Sequence, residues 1–95
     1  MANAVHDNPA KNRYELVVDG ETAFTVDRRS PGTVTFIHTT VPEALEGRGV
    51  GSALAQGALD LVRARGDNVI AECTFIKGYI GKHPEVQDLL LDRPR

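Results

Sequence analysis

Tryptophan is absent, methionine appears once, and cysteine appears once, as Cys73. A single cysteine excludes an internal disulfide and fits a reducing, cytoplasmic setting. The three histidines, His6, His38 and His83, are scattered, so with Cys73 they offer no ligand set for a metal. No apolar run approaches the ~20 residues of a membrane span. The first fifteen residues hold no apolar stretch of a secretory signal, so no membrane partner is expected. The formal net charge is −2 and no basic stripe is present, which argues against a nucleic-acid partner. Repeats and low-complexity segments are missing as well. What is there is an ordinary globular balance, 41% hydrophobic and 25% charged over 95 residues, enough for one domain around one core.

Met1 to Asn12 is polar and broken by Asn8-Pro9, so residues 1–12 are expected to be a mobile tail before a single domain over 13–95. From Arg13, Tyr14, Leu16 and Val18 alternate with their neighbours at a period of two. Asp19-Gly20 follows, and the alternation resumes through Thr22, Phe24 and Val26, so a hairpin is predicted. Ser30-Pro31-Gly32 marks a second turn. Thr33 to Val41 is dense in β-branched residues and reads as a strand, with Val34, Phe36 and His38 on one face. The period then changes. Val50, Leu54, Ala58 and Leu61 share a helical face, predicting a helix from about Gly49 to Arg65 with Gly66 as its left-handed cap. Gly57 weakens that helix, which suggests a close approach to a strand. Asn68 to Cys73 reads as a short buried strand, parallel to the strand before the helix through a right-handed crossover. Phe75, Ile76, Tyr79 and Ile80 recur at helical spacing, and His83-Pro84 stops that helix. Leu89-Leu90-Leu91 is too apolar for a free tail and is expected to dock on the core or on a second subunit.

The segment Glu46-Gly47-Arg48-Gly49-Val50-Gly51-Ser52 lies between a strand and a helix. Glycines let successive backbone N–H groups turn toward one point, which makes an anion-binding concavity. A helix N-terminus adds the positive end of its dipole. Such a loop would hold a phosphate or pyrophosphate, with Arg48 at its rim. The plain alternative is an ordinary glycine-rich helix start. A Walker loop does not fit, because no lysine precedes Ser52. A dinucleotide fingerprint does not fit either, because Ser52 holds the place of its third glycine.

The loop resembles the pyrophosphate-binding pattern R/Q-x-x-G-x-G/A of the GCN5-related N-acetyltransferases. Gly49 and Gly51 match, while Glu46 stands where arginine or glutamine is usual. Residues Cys73 to Glu85 resemble a Cys-x-Phe-x-x-x-Tyr-Ile-x-x-His-Pro-Glu pattern of a compact, single-domain branch of that superfamily. The resemblance covers roughly Arg13 to Leu91. It implies an α+β (mixed α/β) acyl-CoA N-acyltransferase fold in minimal form: an antiparallel meander, a β-α-β crossover and a C-terminal helix. It implies acetyl-CoA (or CoA) as cofactor and an amine-bearing acceptor, small molecule or protein. The short domain with its apolar Leu89-Leu90-Leu91 segment is expected to be a monomer or homodimer.

In such a fold the two strands around the crossover splay apart and the acyl cofactor sits in the gap. Thr39, Thr40 and Val41 would offer backbone hydrogen bonds to the pantetheine amides, like an added strand. The loop of Glu46, Gly47, Arg48, Gly49, Val50, Gly51 and Ser52 would receive the pyrophosphate. A histidine side chain suits a general base, and His38, on the strand beside the gap, is the positional candidate, its plain alternative being a half-buried strand histidine. Cys73 precedes a helix, where a thiolate is favoured. It would act as a base or accept the acyl group, the alternative being simple packing. His38 and Cys73, at neighbouring strand ends, are expected to form one Cys–His unit. Tyr79 matches the helix tyrosine that protonates the departing thiolate, or else is a core aromatic. The function implied is an acetyl-CoA-dependent N-acetyltransferase. The alternatives are a non-catalytic CoA- or acyl-CoA-binding module, and a small interaction protein docking through Leu89-Leu90-Leu91.

Overall fold

Alternating apolar residues build the sheet. In the computed structural model, which describes residues 4–91, five strands lie in sequence order: β1 (His6–Asn8), β2 (Arg13–Val18), β3 (Glu21–Ser30), β4 (Thr33–Thr40) and β5 (Asn68–Ala71). The first four pair antiparallel, and β5 pairs parallel to β4. Asp19 and Gly20 both take positive φ, 52° and 78°, as a two-residue hairpin between β2 and β3 requires. The crossover from β4 to β5 is α1 (Val50–Arg65), closed by Gly66 at φ 78°. The second helix, α2 (Thr74–Lys82), follows β5.

Both helices cover one face of the sheet. Val34, Phe36 and Val69 from the strands form one buried cluster with Leu59 and Val62 of α1 and Ile76 and Ile80 of α2. Each such side chain contributes about 1.5–3 kcal/mol of burial. The other face lies open, with Val17, Ile37 and Ile70 each more than a third exposed. The apolar C-terminus docks on the core as expected. Val86 and Leu89 are buried, Leu90 forms a parallel bridge to Val69, and Leu91 donates its amide to the Val69 carbonyl at 2.9 Å.

Three sequence expectations change. The segment expected to be a tail carries β1, paired with β2. Arg29 holds it there. Its guanidinium makes a two-bond fork to Asp7 (2.6 and 3.0 Å), bonds Asp27 at 2.7 and 3.1 Å, and lies over the Tyr14 ring. These polar residues replace the apolar contacts that sequence patterning looks for. Residues 1–3 of the expected tail lie outside the described residues. Second, β3 runs on to Ser30 rather than ending near Val26, because Arg28 and Arg29 continue the ladder opposite Thr35 and Val34. Third, His38 does not share a face with Val34 and Phe36. The β3–β4 register is Val26↔His38 and then Asp27↔Phe36, so Ile37 is an extra, bulged residue. Val26 and Asp27 point to opposite faces, and so do their partners. The bulge therefore sends Phe36 into the core and leaves His38 exposed on the open face.

Gly57 has the close approach that its sequence suggested. A Cβ there would lie 2.3 Å from Cγ2 of Val5, the residue leading into β1.

Candidate active site

The parallel ladder ends at Phe36↔Ala71. Beyond it the Phe36 carbonyl accepts from two amides, those of Glu72 at 3.0 Å and Cys73 at 2.8 Å. The chain then turns into α2, with Cys73 as its N-cap, while β4 runs on through Thr40 without a β5 partner. The two strands part beyond Phe36 and Ala71, with Thr39, Thr40 and Val41 on one side of the gap and Cys73 on the other, and the Thr39 hydroxyl and Cys73 Sγ still meet across it at 3.2 Å.

The glycine loop lies beyond the end of β4. Gly47 and Gly49 take φ of 80° and 75°, with nothing within 4 Å of where a Cβ would stand. The first α1 hydrogen bond runs from the Ala53 amide to the Gly49 carbonyl at 3.1 Å. The amides of Val50, Gly51 and Ser52 precede it, and no side chain caps them. They form an uncapped, positively polarised first turn. The Val50 side chain is buried in the core, whereas Glu46, Gly47, Arg48 and Ser52 are exposed. Arg48 bonds Asp19 of the β2–β3 hairpin at 2.8 Å, an exposed pair that a phosphate would have to displace or join. Gly51 lies beneath the Phe75 ring, whose Cζ is 2.9 Å from a built Cβ, so α2 approaches α1 closely here.

A cleft of about 240 Å³ opens between the two helices, and Ser52 and Tyr79 line it together with Lys82 and His83. Tyr79 stacks on His83 at 3.8 Å between ring centres, and His83 Nδ1 is 2.7 Å from the Tyr79 carbonyl oxygen. Burial raises the Tyr79 pKa above its ordinary value, helped by the negative charges of Glu85 and Asp60.

The structure does not bring His38 and Cys73 together as one unit. His38 Nε2 lies 3.1 Å from the Thr40 hydroxyl on the open face. Cys73 Sγ lies 3.2 Å from the Thr39 hydroxyl on the helix-covered face. The bulge at Ile37 is the cause, since it reverses the facing of everything after Phe36 in β4. Thr25, which bonds Thr39, was not recognisable as a site residue from sequence. Its place depends on that bulge and on the β3–β4 register.

A sequence model described as GCN5-related N-acetyl-transferase matches residues 13–89. The chain belongs to this family. The NMR solution structure of a GCN5-like candidate N-acetyltransferase from Staphylococcus aureus superposes with a TM-score of 0.72 at 25% identity, covering 100% of this chain and 95% of that one. The protein NATD1 of Xenopus tropicalis is 37% identical over 57 residues, 60% of this chain and 52% of NATD1, so the chain spans about half the length of that curated relative. The mixed α+β architecture is thus the GCN5-related acetyltransferase fold in small form, with acyl transfer as the activity at the level of the family. In this family member Glu46 departs from the usual pattern. It closes a 3-10 turn through its amide, bonded to the Glu43 carbonyl at 3.1 Å, and its side chain lies on the surface. Among the described residues no helix is long and apolar enough to cross a membrane.

Proposed function

We propose that this protein is an acetyl-CoA-dependent N-acetyltransferase acting on an amine. One observation carries the reading: the opened end of the β4/β5 ladder stands beside an uncapped α1 N-terminus preceded by two left-handed glycines. The first feature suits an extended amide-bearing arm and the second suits a diphosphate. The open space at Gly47 and Gly49 fits a close-lying anion. Acetyl-CoA supplies the activated acetyl thioester.

In this reading the amides of Val50, Gly51 and Ser52 hold the diphosphate, with Glu46 and Gly47 shaping the approach and Arg48 at the rim. The main chain of Thr39, Thr40 and Val41 aligns the pantetheine arm. His38 Nε2 accepts the proton that the amine nitrogen must lose. Its exposure on the open face supports entry of the acceptor from that side. The Tyr79 phenol, protonated at neutral pH as a phenol ordinarily is, returns a proton to the departing sulfur. Cys73 stands at the head of the gap.

The test is incubation with acetyl-CoA and a panel of amines, following CoA release, with thermal stabilisation by acetyl-CoA, CoA and ATP measured in parallel. Stabilisation by acetyl-CoA and CoA but not ATP, with amine-dependent release, is expected. Gly49→Val should abolish the stabilisation, because the side chain strains a left-handed position and covers the amides. Unchanged affinity in that variant would refute the loop assignment. Stabilisation without release from any amine would favour the non-catalytic binding module.

A further inference from the structure

Thr25 and Thr39 face one another across β3 and β4. They form a chain with Cys73: Cys73 Sγ to Thr39 Oγ1 at 3.2 Å, Thr39 Oγ1 to Thr25 Oγ1 at 3.0 Å, and Thr25 Oγ1 to the His38 carbonyl oxygen at 3.3 Å. Each of the three side chains has one proton to give. A carbonyl only accepts, so the Thr25 proton goes to His38. Thr39 therefore donates to Thr25. The proton left for the contact between Thr39 and sulfur is the thiol's own.

We infer that Thr25 and Thr39 are positioning residues that hold Cys73 as a hydrogen-bond-donating thiol at the head of the β4/β5 gap, anchored on the carbonyl of His38. The bulge makes the arrangement possible, because it turns Thr39 toward the face that Cys73 occupies. Thr25 is fully buried, so water does not compete for its hydroxyl. Deleting that hydroxyl frees Thr39 to turn its own proton to the sulfur, and a hydrogen bond donated to sulfur favours thiolate over thiol. Thr25, whose hydroxyl bonds the His38 carbonyl and Thr39 rather than the sulfur, thus sets the direction in which the protons run. The catalytic consequence rests on the acyl-transfer reading. A sulfur that keeps its proton is a poor nucleophile, so acetyl passes to the amine without stopping on Cys73.

The experiment uses the full chain, whose one cysteine gives one S–H stretching band in the infrared. The wild-type band is expected at lowered frequency, and Thr39→Val should return it to the frequency of an unbonded thiol. Iodoacetamide alkylation at neutral pH should be several-fold faster in Thr25→Val, unchanged in Thr25→Ser, and not accelerated in Thr39→Val. An unbonded wild-type band would overturn the inference. So would equal alkylation of Thr25→Val and wild type, or equal acceleration in both valine variants, which would mark a loosened core. Melting curves identify any variant that fails to fold, and Thr25→Ser with Thr39→Val then still decides the matter. None of these readouts requires acetyl-CoA, so their failure is distinct from a failure of CoA release. Mass spectrometry of quenched turnover should find Cys73 without an acetyl group; an acetyl-cysteine would overturn the catalytic consequence.

Discussion

Gly57→Ala sets two physical effects against each other. Gly57 lies in the interior of α1, where alanine is favoured by about 1 kcal/mol on helix propensity alone. By that measure the variant gains stability. The structure reverses the sign. The new Cβ would lie 2.3 Å from Cγ2 and 2.6 Å from Cβ of Val5, against about 3.5–4.0 Å for carbon atoms in contact. Turning the Val5 side chain does not relieve the second contact, because the Val5 Cβ is fixed to the main chain. The strand entrance must withdraw by about an ångström, a cost of about 1–3 kcal/mol for an overpacked site. That shift also disturbs the Asp7–Arg29 fork two residues on, which pushes the cost toward its upper end. The net loss is about 1–2 kcal/mol, or roughly 4–16 °C in Tm for a domain of this size. Urea and thermal melts of wild type, Gly57→Ala, Val5→Gly and the double variant form a complete cycle. In the Val5→Gly background Gly57→Ala should become stabilising. If Gly57→Ala alone raises Tm and leaves hydrogen-exchange protection of β1 unchanged, the reasoning about Val5 is wrong.

Other expectations follow from the same structure. Arg29→Met should lower stability by about 3–5 kcal/mol in urea melts, because it strands the fully buried Asp27 carboxylate; a loss under 1 kcal/mol would show that Asp27 finds another partner. Burial pushes the Glu15 carboxyl up, but hydrogen bonds from Arg13, Asn8 and His6 outweigh it and hold its pKa below the ordinary 4.5. Because the unfolded chain binds that proton first, the stabilisation is complete above about pH 5 and is lost as the pH falls through the folded value. The stability difference between wild type and Glu15→Gln should therefore shrink from about pH 5 down to about pH 3 in melts at constant salt, and a constant difference would contradict the assignment. His38→Gln should reduce amine-dependent CoA release by about 100-fold or more while leaving acetyl-CoA affinity unaltered, and undiminished release would remove His38 as the base.

The elements were legible wherever local chemistry decides them. Asp19-Gly20 specifies a hairpin because both residues tolerate positive φ, and Gly66 ends α1 for the same reason. The change of period after Gly49 announces a helix, and the order strand, helix, strand announces a parallel crossover. The glycine loop and the Cys73 to Glu85 pattern carried the family resemblance. The N-terminal strand was hidden because its attachment is polar. Asp7, Asp27 and Arg29 lie 20 and 2 residues apart in sequence and meet only in the folded sheet.

Alternation along the chain told which residues belong to a strand, since that depends only on neighbours. It could not tell where the alternation slips. One extra residue, Ile37, is invisible until β4 is laid against β3. That single slip parts His38 from Cys73 and brings Thr39 to the thiol with Thr25 behind it, because facing in a sheet is fixed by pairing across strands. The sequence by itself determined the elements, their order and the loop with its glycines. Only tertiary structure decided which side chains share a face and where their protons go.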